Sequence, residues 1–166
     1  GPLAAPGLFA NHRTMRFASA LVLCAALGGA ASAQTAPAAG SVVDSFELIN
    51  NRAVFFEPAG DGKLKILRVV DNSRSEPIPK TPGQVAVAMT FAREIGTVIE
   101  FNSGLPYAVD YTAIVVAPGD AAETVTPLKV CPIGDGLIGA QQFPEPYGRI
   151  RIAGFTKRDA PLPSGC

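Results

Sequence analysis

The stretch Tyr107–Val115, YAVDYTAIV, places Tyr107, Val109, Tyr111, Ala113 and Val115 on one side and Asp110 and Thr112 on the other. Alternation with a period of two belongs to a half-buried strand, because successive side chains of extended backbone point to opposite faces. Val85–Phe91 repeats the pattern with Val85, Val87, Met89 and Phe91. Arg149-Ile150-Arg151-Ile152 repeats it again, isoleucines to one face and arginines to the other. Val42–Ile49, Val54–Glu57, Thr97–Phe101 and Thr124–Val130 have strand composition, and Pro127 marks the last as an edge or a strand start. Leu64–Val70 slips its alternation near Leu67-Arg68, which predicts a bulge. The breaks carry turn residues: Pro58-Ala59-Gly60-Asp61-Gly62, Asn102-Ser103-Gly104, Ala117-Pro118-Gly119-Asp120 and Gly134-Asp135-Gly136. No long segment with a 3.6-residue period follows residue 40. The pattern predicts an all-β chain, an immunoglobulin-like antiparallel β-sandwich of about 7–9 strands in a single domain over residues 42–166. The chain has no tryptophan to pack beneath an inter-sheet disulfide, and its cysteines come late.

Met15–Gln34 has a different logic. Arg16 precedes the apolar run Phe17–Leu27, and small residues lead to Ala31-Ser32-Ala33. A basic start, a short apolar segment and an A-x-A site form the pattern of a secretory signal, here residues 15–33. The run falls far short of the roughly twenty residues a membrane span needs. Residues 1–14 read as a tag remnant or upstream leader, and 34–41 as a flexible leader. This reading places the mature chain outside the cytosol, in the periplasm or at the cell surface, with no integral membrane segment.

Cysteine usage agrees with export. Cys24 would leave with the signal, and Cys131 and Cys166 remain as an even pair that can form a disulfide in an oxidising compartment. Close C-x-x-C spacing, the mark of a redox-active pair, is absent. The single histidine, His12, lies in the leader, so the mature chain lacks the usual general base and the commonest transition-metal ligand. Without Arg13 and Arg16, the 14 cationic side chains fall to 12 against 14 acidic ones, with the signs interspersed. Nothing resembles a basic stripe for nucleic acid. No cofactor or metal site is expected, because Asp61, Asp120 and Asp135 sit in glycine turns too sparse in oxygen ligands to hold calcium.

Gln141–Gly148, QQFPEPYG, is the candidate partner-binding segment. Pro144 and Pro146 stiffen it, Phe143 and Tyr147 supply aromatic anchors, and Glu145 supplies a charge. The same aromatics could instead cap the end of the sandwich core. Glu76–Gly83, with three prolines, reads as an extended crossover between sheets. Arg149, Arg151, Lys157 and Arg158 make a modest basic end or a solvated face. Paired carboxylates are the catalytic chemistry left open, and a glycoside-cleaving pair could come from Glu100, Asp110, Asp135 or Glu145.

From Tyr107–Tyr111 through Cys131-Pro132 and Phe143-Pro144-Glu145-Pro146 to Ile150 and Ile152, the chain resembles small uncharacterised β-rich envelope proteins of Gram-negative bacteria. The resemblance implies export and a β-rich fold and names no activity. The sequence therefore points to a non-enzymatic interaction module that meets another envelope protein through loops or an exposed strand edge. The alternatives are a subunit of a surface or secretion assembly and a small carboxylate-dependent hydrolase of envelope polysaccharide.

Overall fold

Ten strands, joined by short turns, account for most of the ordered backbone in a computed structural model that describes residues 36–74, 76–117 and 125–166. The expected signal segment at 15–33 and the leader at 1–14 lie outside the described residues, as do the expected turn at 118–120 and Thr124. The strands are β1 (Val42–Val43), β2 (Ser45–Ile49), β3 (Arg52–Gly60), β4 (Lys63–Asp71) and β5 (Val85–Ala92), followed by β6 (Gly96–Ser103), β7 (Val109–Val116), β8 (Val125–Leu128), β9 (Ile138–Phe143) and β10 (Arg149–Lys157). They form a six-stranded sheet in the order β1-β4-β3-β5-β6-β9 and a four-stranded sheet in the order β2-β10-β7-β8. Every pairing is antiparallel. The fold is thus an all-β sandwich, with no helix among the described residues.

The strand count exceeds the expected range for two physical reasons. Val42–Ile49 is not one strand: the chain leaves one sheet after Val43 and enters the other at Ser45, so Phe46 and Leu48 face the core from the second layer. Ile138–Phe143 is a strand although Gly139, Ala140, Gln141 and Gln142 have little intrinsic preference for one. Sheets of six and four strands also differ from the four and three of an immunoglobulin constant domain.

The period-two pattern places its residues as the chemistry requires. Val85, Val87, Met89, Ile99, Phe101, Val109, Tyr111, Ile150 and Ile152 are all buried in one core cluster. Phe91, at the end of β5, is exposed. A chain of rings zips the layers together where a tryptophan is missing. Phe46 meets Phe56 at 5.4 Å between centroids, Phe56 meets Phe155 at 4.8 Å, Phe155 meets Tyr111 at 5.5 Å, and Tyr111 meets Phe101 at 5.1 Å. Each such pair contributes about 0.5–1.5 kcal/mol beyond the area it buries. The predicted irregularity in β4 is present: Phe55 pairs with Arg68 and Phe56 with Ile66, which leaves Leu67 as the extra residue.

The proline-rich segment crosses within one sheet rather than between two. It joins β4 to β5, which flank β3, and so must pass over the outer face of the six-stranded sheet. There Ile78 packs on a second small cluster of Ala53, Phe55, Ala86 and Ala88. Gly104 lets the segment come close, since a Cβ at that position would overlap the Thr81 carbonyl. The leader also becomes ordered earlier than Val42: Gly40 N donates to Ile66 O at 2.6 Å, and Ile66 N donates to Ser41 O at 2.8 Å.

Candidate functional site

Strand β9 is made by what precedes and follows it. Gly136, at φ +58°, turns the chain, and its N–H donates to Leu105 O at 3.0 Å. Ser103 N then donates to Leu137 O at 3.0 Å. From there β9 pairs with β6, Asn102 opposite Ile138, Glu100 opposite Ala140 and Thr97 opposite Phe143. Pro144 ends the strand by removing a donor. At the far end Gly96, at φ +91°, allows the turn over it, since a Cβ there would overlap Phe143 O.

Among the described residues no strand pairs with the other side of β9, which is the last of its sheet. The segment Leu137–Phe143 contains no charge and no proline. Leu137 is 51% exposed and Ile138 76% exposed. Side chains opposite one another in a pair share a face, so Gly139, Gln141 and Phe143 lie on the core side with Phe101, Ile99 and Thr97. Ile138, Ala140 and Gln142 lie on the outer side with Asn102, Glu100 and Val98.

A groove opens on each face of this edge. The inner one, of about 230 Å³, is lined by Ile133, Leu137, Gly139, Leu162 and the disulfide partners Cys131 and Cys166, among others. The outer one, of about 360 Å³, is lined by Pro77, Ile78, Glu100, Asn102, Ile138 and Ala140, among others. The expected disulfide joins Cys131 to Cys166 with 5.5 Å between Cα atoms and brings the C-terminal tail to the inner groove. Arg158 holds the tail higher up: its Nη1 donates to Asp110 Oδ1 at 2.7 Å, and its Nε and Nη2 donate to Pro161 O at 3.1 and 2.9 Å. Gln141 ties β9 to the opposite sheet, its Nε2 donating to Tyr111 Oη at 3.0 Å and to Cys131 O at 2.9 Å. Burial pushes the Tyr111 phenol well above its ordinary pKa, with the Gln141 contact opposing that shift.

The candidate partner-binding residues Phe143, Pro144, Glu145, Pro146 and Tyr147 continue directly from this edge. Phe143 belongs to the strand and not to a loop, as do Gln141 and Gln142. Phe143 and Tyr147 are half-buried, 5.9 Å apart between ring centroids, and pack against the main core. Thr97 staples the loop beneath them, donating from Oγ1 to Glu145 O and accepting from Tyr147 N, each at 2.8 Å. Tyr147 Oη donates to Glu145 Oε2 at 3.1 Å. Partial burial, then the Glu145 hydrogen bond and charge, raise the Tyr147 phenol. Pro144, Glu145 and Pro146 are exposed. The aromatic residues are therefore core caps, and the outward surface of this region is the strand edge with its proline tip.

The remaining sequence candidates do not converge. Glu100 faces outward from one sheet, and Asp110 faces outward from the other, where Arg158 pairs with it. Glu145 accepts from Tyr147, and Asp135 sits exposed in its turn. The basic end is internally paired: Arg149 and Arg151 reach Glu47 at 3.4 and 2.8 Å, and Lys157 reaches Asp159 at 3.7 Å. Among the described residues no group of three His, Cys, Asp or Glu side chains could hold a metal ion, and no helix is long and apolar enough to cross a membrane.

Sequence reasoning missed β9 itself. Its signal was an uncharged run, Leu137–Phe143, bounded by Asp135-Gly136 and Pro144. The absence of β-branched residues after Ile138 hid it. No family model, curated protein or solved structure matches the chain.

Proposed function

We propose that the protein is an exported, non-enzymatic interaction module of the bacterial envelope that captures an extended segment of a partner protein as an added strand on β9. The observation that supports this reading best is the bare edge of β9: six residues without charge or proline, exposed at Ile138, with a groove on each face. Unpaired N–H and C=O groups at such an edge template another strand, and grooves that accept alternate side chains give selectivity. Export is supported by the signal-like pattern of residues 15–33 and by the Cys131–Cys166 disulfide, a bond that persists in oxidising compartments.

The test is selection of displayed random peptides on the disulfide-intact protein, with an Ile138→Lys/Ala140→Lys variant as counter-selection. Both side chains lie on the outer face, so the variant should keep its fold. The account predicts peptides that bind the parent protein and are lost on the variant. Peptides indifferent to the two lysines, or no retained peptides at all, would overturn it.

The same edge favours one further reading, a subunit of a surface or secretion assembly in which copies join edge to edge. Size-exclusion chromatography separates the two: a clean monomer across the micromolar range argues against self-assembly.

A further inference from the structure

The outer groove beside β9 carries more chemistry than an apolar slot. Glu100 lies on its floor, exposed, with no ion-pair or hydrogen-bond partner among the described residues. Two residues along β6, on the same face, Asn102 is only 6% exposed. Its Nδ2 donates to Ile78 O, which fixes the orientation of the amide, because a carbonyl oxygen accepts only from the nitrogen. The Oδ1 is then a buried acceptor that accepts nothing. An orphaned buried acceptor is costly and rare in folded chains. Ala140 stands between Glu100 and the free edge, and its methyl leaves the way over it open, while Ile138 stands between Asn102 and that edge. Ile138 and Pro77 supply apolar walls. Among the described residues no cationic side chain lines the groove, and Lys80, at the neighbouring turn, is taken up by the Gly136 carbonyl.

We infer, building on the strand-addition reading above, that the groove selects a partner segment with an arginine or lysine between two apolar residues, the cation lying opposite Ala140. Neighbouring strands stand about 4.8 Å apart, so the added strand would run about 10 Å from β6. A cationic side chain opposite Ala140 points to the outer face and spans that gap: its stem crosses Ala140, and its head reaches the Glu100 carboxylate. Asn102 Oδ1, two residues along β6 on the same face, is a second acceptor beside that carboxylate. The residues on either side of the cation point inward to the groove lined by Ile133, Leu137, Leu162, the disulfide and Gln141, where apolar side chains find apolar walls. Recognition therefore follows an apolar–cation–apolar rhythm set by the strand period.

The probe is the peptide pool recovered by display selection on the full disulfide-bonded chain, sequenced and resynthesised. The inference expects Arg or Lys enriched at one position with apolar neighbours. It expects Glu100→Gln to weaken these peptides about three- to fivefold and Glu100→Lys about tenfold or more. A repeat selection on Glu100→Lys should replace the cation with Asp or Glu. Glu100 is exposed, so both variants should melt as the parent does, and circular dichroism checks that. Peptides that bind, are lost on Ile138→Lys/Ala140→Lys, yet show no cation preference and ignore Glu100→Lys, overturn this inference and leave strand addition standing. Peptides that ignore all of these variants overturn both.

Discussion

The two edges of the six-stranded sheet face the same hazard and treat it differently. At one edge β1 is two residues long, Gly40 and Ser41 extend its hydrogen bonding to Ile66, and the Lys63–Asp44 pair at 2.6 Å stands beside it. Lys65 and Arg68 add charge along β4. At the other edge β9 offers six residues without charge or proline. The four-stranded sheet follows the guarded pattern: β8 carries Pro127, and β2 carries Glu47 with its two arginines. Short length, charge and proline are the usual means of blunting an edge. Three edges use them and one does not, which is why β9 is the edge proposed above to receive a partner strand.

Substitutions can sharpen or break that contrast. Ile152, fully buried, and Ile138, 76% exposed, form the sharpest pair. Ile152→Ala should lose about 4 kcal/mol in denaturant unfolding, whereas Ile138→Ala should stay within about 0.5 kcal/mol. A large loss at Ile138 would mean that the edge is structural. Next comes the Cys131–Cys166 disulfide, whose partners are 35 residues apart. Replacing both cysteines with serine should cost about 3–4 kcal/mol by the chain-entropy account and free the tail that lines the inner groove. Binding of selected peptides should weaken in parallel.

Two glycines repeat the comparison on a smaller scale. Gly96 holds a left-handed φ of +91° beneath Phe143, while nothing stands within 4 Å of a Cβ at Gly139. Gly96→Ala should cost about 2 kcal/mol in thermal or denaturant unfolding, and Gly139→Ala should be nearly neutral.

Titration probes the burial of Tyr111 in the core between the sheets. The folded pKa of Tyr111 is raised, so the unfolded chain ionises first as pH climbs. The stabilisation is complete below the ordinary tyrosine pKa near 10 and falls above it by at most about 1.4 kcal/mol per pH unit. Ultraviolet absorbance at high pH should show one of the three tyrosines ionising only on unfolding. Three simultaneous early titrations would contradict the burial of the Tyr111 phenol. The smallest effect belongs to Asp71, whose carboxylate accepts from Ser73 N at 2.7 Å and is thereby held below its usual pKa. Its contribution exists above the unfolded pKa and fades as pH falls through the folded value. Asp71→Asn should slightly reduce the acid sensitivity of unfolding and leave peptide binding unchanged.

Most of the sandwich was legible because burial on one face writes itself into a strand as alternation. Val85, Val87 and Met89 on β5, and Ile150 and Ile152 on β10, declare their faces without help. Even the extra residue at Leu67 was visible as a slip in the pattern. The split at Asp44 was not legible, since Val42–Ile49 alternates no differently on either side of a change of sheet. Nor was β9. Its neighbour β6 and the Gln141 contacts make it a strand, and both come from distant parts of the chain. The aromatic residues at 143 and 147 drew attention to the right region for a different reason: they turn inward, and the residues just before them form the open edge. Glu100 was visible as a carboxylate, but only the register with Ala140 places it behind that edge.

Amide hydrogen exchange by NMR tests the central claim most directly. In the free protein, amides of Ile138–Phe143 that point away from β6 should exchange fast, and those bonded to it slowly. With a selected peptide bound, the fast ones should slow by about tenfold or more while the β1 edge stays unchanged. Protection appearing at Glu145 and Tyr147 or at the guarded edges, with β9 unaltered, would contradict strand addition on β9.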